Sequence, residues 1–290
     1  MGFLDCSALL LAVAAYSCYQ LSGLDASLTV TVETVGTSTV LSTLHLLVVR
    51  LLISAVIWAV CLFLLFDNQG LTLDVLQRDG SNKRIHLLRL ERFTPFTVWC
   101  WLLQLIYFSL ASICSAAQVG LIDPVSVPAS LAQSAWVAFE VSFATAFLVS
   151  AVVSFVLIPG TLKRGLGLDN FFKPLPKIMH NANVVFIALE LAINKLSFSQ
   201  SHHAYVLIFA MLYVVFAWLW YEIKGVFYYS FLDYARPGAA AWYLGLMAAL
   251  LLFFACGLTA AASLEQEGQG RYLALGALSL VTYAVLRVSP

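Results

Sequence analysis

Eight stretches of nearly unbroken apolar residues, separated by polar breaks, organise this chain. They run approximately over Ser7–Gly23, Val40–Phe66, Phe93–Gln118, Gln133–Ile158, Ile178–Asn194, Ala204–Lys224, Ala239–Ser263 and Arg271–Val288. Most reach the ~20 residues that a helix needs to cross a bilayer. None shows the apolar–polar alternation of a membrane barrel, so helices are predicted and strands are not. The expected fold class is all-α, a polytopic transmembrane helical bundle of about eight spans. Were the first run a cleaved signal, seven spans would remain in the same orientation; Asp5 and the lack of an early Lys or Arg make a poor signal start.

The polar breaks divide the chain further. The longest, Asn68 to Arg92, holds the turn signals Asn68-Gln69-Gly70 and Asp79-Gly80-Ser81-Asn82 and reads as a mobile cytoplasmic loop. It closes an N-terminal two-span extension (1–92), followed by a membrane core (93–264) and a short C-terminal helix (265–290).

Composition strengthens the membrane reading. The residues are 62% hydrophobic and 10% charged, more apolar than one soluble core requires. Net charge is zero, and the expected partners are membrane lipids and no nucleic acid. The basic residues are unevenly placed. Arg78, Lys83, Arg84, Arg89, Arg92, Lys163, Arg164, Lys173, Lys177, Lys224, Arg236 and Arg287 share one face, while Lys195 and Arg271 join Asp25, Glu33, Asp123, Glu265 and Glu267 on the other. By the positive-inside rule the first face is cytoplasmic, and so are both termini. The six cysteines show no CxxC or Cys/His spacing, so no metal site or disulfide framework is expected. His202 and His203 read as exposed loop residues, since two ligands make a weak metal site.

Ionisable groups inside a membrane are costly and need partners. Arg50 lies about ten residues into its span, roughly 15 Å deep. Glu140 and Glu190 reach similar depth from other helices, so the three form a predicted intramembrane charge network in which Arg50 pairs with Glu140 or Glu190. A neutralised packing pair, a proton or ion pathway, and a protonated carboxyl are the three readings of that network.

Thr97 and His180 stand apart because both lie ~5–8 Å inside the same face, on different helices. Thr97 bonding back to its own helix, and His180 bridging helices with Asn181 and Asn183, would be the plain reading. The chemical reading is a nucleophilic hydroxyl activated by an imidazole base. An oxyanion stabiliser would come from a backbone N–H or the amides of Asn181 or Asn183. Glu222 sits at a depth from which it would orient the imidazole.

Around these residues the chain resembles a family of membrane threonine hydrolases, that of the androgen-induced-gene and androgen-dependent TFPI-regulating proteins. Phe96-Thr97-Val98-Trp99, with Gln104 seven residues after Thr97 and Tyr107-Phe108 behind, is similar to the family's threonine helix. Met179-His180-Asn181-Ala182-Asn183, with Glu190 ten residues after His180, resembles its histidine helix. Lys224-Gly225-Val226-Phe227-Tyr228-Tyr229-Ser230-Phe231-Leu232 and Arg236-Pro237-Gly238 resemble its Gly-x-Trp-Val-Tyr-Pro-Phe-Leu and Pro-Gly segment. The three keep their order across about 90–264. Thr94-Pro95-Phe96 replaces the family's run before the threonine, and Phe227 and Ser230 replace its Trp and Pro.

The resemblance implies a hydrolase of lipid esters, fatty acid esters of hydroxy fatty acids, with Thr97 as nucleophile, His180 as base and no metal or organic cofactor. It implies the endoplasmic reticulum or plasma membrane, with another organelle membrane as the alternative. The predicted pocket lies between the third and fifth spans and takes an amphiphilic ester, whose free carboxylate suits the basic Lys163–Lys177 loop. Two readings compete. One is a non-catalytic structural or interaction subunit binding protein partners through the extra terminal helices. The other is a transporter using Arg50, Glu140 and Glu190.

Overall fold

The computed structural model describes residues 2–24, 29–266 and 268–289. Each of the eight apolar runs forms a helix, and the polar residues at their ends explain where they stop. In chain order the elements are α1 (Gly2–Ser22), α2 (Val32–Gly36), α3 (Thr43–Phe66), β1 (Leu71–Leu76), β2 (Asn82–Leu87), α4 (Phe96–Gln118), α5 (Ala129–Val152), α6 (Ile158–Lys163), α7 (Asp169–Phe172), α8 (Pro174–Ile193), α9 (His203–Lys224), α10 (Ala239–Leu264) and α11 (Gln269–Val285). The Ser42 hydroxyl caps α3 by accepting from the His45 N–H. Pro95, Pro128 and Pro174 each stand at a helix start, where the missing N–H costs nothing. Gly225, at φ +68°, ends α9 in the left-handed conformation that a side chain would resist.

Among the described residues six helices are long and apolar enough to cross a membrane: α1, α3, α4, α5 running on into α6, α9 with the turn before it, and α10. Of the other two runs, α8 carries His180, Asn181, Asn183 and Glu190, and α11 has 17 residues. Successive long helices run in opposite directions, as contacts at the two ends show. At one end Arg92 meets Asp67 at 3.0 Å, Arg78 meets Asp233 at 2.8 Å and the Asn181 amide donates to the Arg287 carbonyl at 3.0 Å. At the other, Tyr16 meets His203 at 2.9 Å, and Ser38 bridges to Asn194. Asp25 and Glu267 lie outside the described residues.

Helix α5 is the centre of the bundle. It is buried on nearly every side, packed by α4, α8, α9 and α10. Ala132, Ala135 and Ala144 let neighbouring backbones approach closely. Phe139 and Phe143 both pack on Phe198 with ring centroids 5.6 Å apart. Helix α1 packs on α9 through Cys6 and Leu10 but exposes Leu4, Leu11 and Tyr19, a surface suited to lipid.

Three features depart from the sequence reading. The stretch expected as a mobile loop is a β-hairpin, with Leu71 opposite Leu87 and Leu76 opposite Asn82. Its turn falls at the expected Asp79-Gly80-Ser81, with Gly80 at φ +84°. An isolated hairpin is marginal; this one is held down by Arg78 on Asp233, by the guanidinium of Arg236 donating to the Gln77 carbonyl at 2.6 Å, and by apolar contact at Val75 and Leu87. A wide π-turn at Val153–Leu157 interrupts the continuous α5–α6 helix. The short α2 is buried at Val35 and Gly36 against α4, where the Cβ of any other residue at position 36 would meet the Cys114 carbonyl.

Candidate functional site

Thr97 is the second residue of α4 and His180 lies in the second turn of α8. Both therefore sit near helix N-termini at the same end of the bundle. Their spacing is fixed one turn further in, where the Trp101 indole N–H donates to the Met179 carbonyl at 2.8 Å and the Gln104 amide donates to the Asn183 carbonyl at 2.9 Å. From α5, the Ser150 hydroxyl donates to the His180 carbonyl at 2.5 Å.

Thr97 and His180 line one cavity, with about 1120 Å³ of space between atoms including its mouth. Strand β1 covers it with Leu71, Leu73 and Val75, and Leu157 and Thr161 form the α5–α6 wall. The His180 Nδ1 is buried and has no partner among the described residues, while Phe171 packs near the ring at 6.4 Å. Among the described residues the Thr97 hydroxyl and the imidazole are not hydrogen-bonded to each other; they face shared space.

The residues expected to assist are dispersed. Asn181 is committed to the C-terminal segment: its amide donates to the carbonyls of Lys177 and Arg287 and accepts from the Arg287 N–H at 2.9 Å. Asn183, one turn from His180 on the same helix face, is fully buried; its Oδ1 accepts from the Val184 N–H at 2.7 Å, and its side-chain N–H₂ has no partner among the described residues. Glu222 accepts from Tyr234 at 3.3 Å on an exposed surface, and it is not among the residues of the His180 cavity.

Of two further residues at the cavity, Tyr229 was not assigned a role from the sequence, and Arg164 belongs to the basic Lys163–Lys177 loop. Tyr229, in the loop after α9, lines it beside Thr97. Burial pushes the Tyr229 hydroxyl up to about 12, partly offset by the Thr97 side chain and the backbone N–H groups of Thr97 and Phe96. Those N–H groups are the first of α4 and have no partner within the helix. Arg164, ending α6, is the basic side chain on the wall. It donates to the Gly160 carbonyl, to Asn82 and to the Thr161 hydroxyl, which uses three of its five N–H bonds. Asp74, the acidic residue nearby, is paired with Arg84 at 2.9 Å.

The intramembrane charges form two separate sets. Arg50 donates to Glu190 Oε1 through Nε at 3.0 Å and Nη2 at 2.5 Å, and its Nη1 reaches the Val35 carbonyl, the Ala111 carbonyl and the Ser115 hydroxyl. Tyr107 donates to the same carboxylate oxygen at 2.7 Å. Glu140 lies elsewhere, 2.6 Å from His202 Nδ1 and accepting from the Ser199 N–H at 2.7 Å. His202 is thus a buried partner and not the exposed loop residue expected. Among the described residues no group of three His, Cys, Asp or Glu side chains is placed to hold a metal.

Comparison of the chain with protein-family models, with curated proteins and with solved structures finds no match in any of the three. The functional reading rests on the residues and geometry of the chain itself.

Proposed function

We propose that this protein is an integral-membrane hydrolase of lipid esters, of the fatty acid ester of hydroxy fatty acid class, with Thr97 as nucleophile and His180 as base. The observation that carries the reading is that two residues 83 positions apart, on different helices, line one cavity. The resemblance of the segments around them to the membrane threonine hydrolases supports the same roles. The cavity lies at the basic end of the bundle, which by the positive-inside rule is the cytoplasmic leaflet, with both termini on that side.

The chemistry follows from the placement. His180 takes the Thr97 proton as the hydroxyl oxygen attacks the ester carbonyl. The oxyanion is met by the N–H groups at the start of α4, which have no partner within the helix, and by the Tyr229 hydroxyl, donors fixed before the substrate arrives. Collapse expels the alcohol oxygen, which takes the proton from His180. Water then attacks the acyl-threonine, giving its proton to His180; collapse breaks the acyl–oxygen bond, His180 returns that proton to the Thr97 oxygen, and the acid leaves. The Ser150 hydroxyl, bonded to the His180 carbonyl, anchors the backbone that carries the imidazole, and no cofactor takes part. The reading is tested by hydrolysis of a palmitate ester of hydroxystearate by purified protein in lipid nanodiscs. Thr97→Ala and His180→Ala each lower the rate by about 10²–10⁴-fold; unchanged hydrolysis in either variant overturns the assignment.

The second reading is a membrane subunit without chemistry, and the exposed apolar face of α1 favours it. Stoichiometric co-purification with a larger assembly, together with an inert wild-type protein, would mark that case.

A further inference from the structure

Thr97, Tyr229 and Leu157 line a second cavity as well as the first. This one lies between α5, α9 and α10 and holds about 680 Å³ of space, its mouth included. The two cavities differ sharply in chemistry. The first carries His180, Arg164, Asp74 and Asn170; the second is walled by Leu148, Val149, Val153, Val214, Met247 and Leu250, with Thr97 and three tyrosines the only hydroxyl-bearing residues in its lining. The hydroxyl of Thr97 thus stands at the junction of an apolar chamber and a polar one.

The backbone is shaped for this division. The π-turn at Val153–Leu157 widens the helix where the two chambers meet, and such turns are concentrated at functional sites. The apolar chamber follows α5 from Leu148 to Leu157, about 13 Å of helix at its usual rise. Val152, Leu157 and Leu246 are only half-buried, so the chamber reaches the bundle surface that faces lipid. In the polar chamber Arg164 retains two N–H bonds uncommitted among the described residues, and the carboxylate of Asp74 is already paired with Arg84.

We infer that the two cavities form one divided site for an amphiphile bearing a carboxylate. An acyl chain enters the α5–α9–α10 chamber from the bilayer, and the anionic end passes Thr97 to reach Arg164 beneath the hairpin. This deepens the hydrolase reading and rests on it for the position of the scissile bond. The binding site itself does not depend on catalysis.

The test uses the full chain in nanodiscs and palmitic acid carrying a diazirine in its chain. Photolysis places the label on chamber residues of α5 and α10, and unlabelled palmitate competes it away. Ala210→Phe and Leu246→Trp each fill the chamber, and two variants guard against one failing to fold. Each weakens labelling by at least about tenfold, equivalent to 1.4 kcal/mol. Leu219→Trp, on the exposed side of α9, leaves it unchanged. Arg164→Gln weakens binding by about tenfold, the loss of one charge-assisted contact. Label spread over exposed helix faces and insensitive to both filling variants overturns the chamber. Sensitivity to them without any effect of Arg164→Gln overturns the anionic end. Wild-type protein that is labelled in the chamber yet inert toward the ester separates failure of the hydrolase reading from failure of this one.

Discussion

Helices α4 and α8 run side by side through the bundle, and their two ends use polar side chains differently. Toward one end, Glu190 pairs with Arg50 and accepts from Tyr107, all three without measurable exposure; the guanidinium has a partner on each of its three nitrogens, while Glu190 Oε2 has none among the described residues. At the other, Thr97 and His180 line a cavity, and among the described residues the His180 Nδ1 and the Asn183 side-chain N–H₂ lack partners. Buried polar groups in a membrane bundle either neutralise one another or serve a task that needs them unsatisfied. The first end is built for cohesion, and the second keeps reactive groups available.

The comparison breaks if the cohesive end can lose a charge cheaply. Arg50→Ala leaves Glu190 buried without its counter-ion and should cost about 3–5 kcal/mol of stability. The paired replacement Arg50→Met with Glu190→Leu should recover most of that loss, because no charge remains to be solvated. Thermal unfolding in detergent of the two singles and the double decides this; an additive double would contradict the pairing.

Glu140 sharpens the same contrast with a smaller effect. Glu140→Ala strands the Ser199 N–H and His202 Nδ1, a loss of about 1–3 kcal/mol. In a double-mutant cycle, His202→Phe should cost less in the Glu140→Ala background than in the wild type. Equal costs in both backgrounds would mean that the two side chains do not share their energy.

The smallest effect belongs to the exposed rim. Lys224 donates to Glu91 at 2.6 Å and holds that carboxyl below the usual carboxylate range. A carboxyl lowered on folding stabilises the protein at neutral pH, and the benefit disappears as pH falls through the lowered value. The stability difference between wild type and Lys224→Gln should stay within about 1 kcal/mol at pH 7. It should shrink toward zero as the pH drops below about 4. A difference that persists in acid would place the role of Lys224 elsewhere, for instance on the Trp220 ring.

Much of this architecture was legible along the chain. The apolar runs mark the eight longest helices, six of them long and apolar enough to cross a membrane among the described residues, because burial in lipid and in the bundle demands the same residues over about 20 positions. The need of Arg50 for a carboxylate was equally plain. Its choice of Glu190 over Glu140 was not, because depth along a helix says nothing about direction around it. The same gap misplaced Glu222, which stands near the expected level but turns to Tyr234. The hairpin escaped notice for another reason. Its alternation of Leu71, Leu73 and Val75 is brief, and its fixed position depends on Asp233 and Arg236, far away in sequence. Tyr229 reaches the cavity only through the tertiary arrangement, so no local pattern could single it out; the basic Lys163–Lys177 loop was legible by its charge, but not which of its side chains lines the cavity.

The most direct test of the central claim is labelling of the purified protein by a fluorophosphonate probe for serine and threonine hydrolases, comparing wild type with Thr97→Ala and His180→Ala. The account predicts covalent labelling of wild type at Thr97, lost in both variants while their unfolding temperatures stay within a few degrees of wild type. Labelling that survives in folded Thr97→Ala, or maps to another residue, would contradict it.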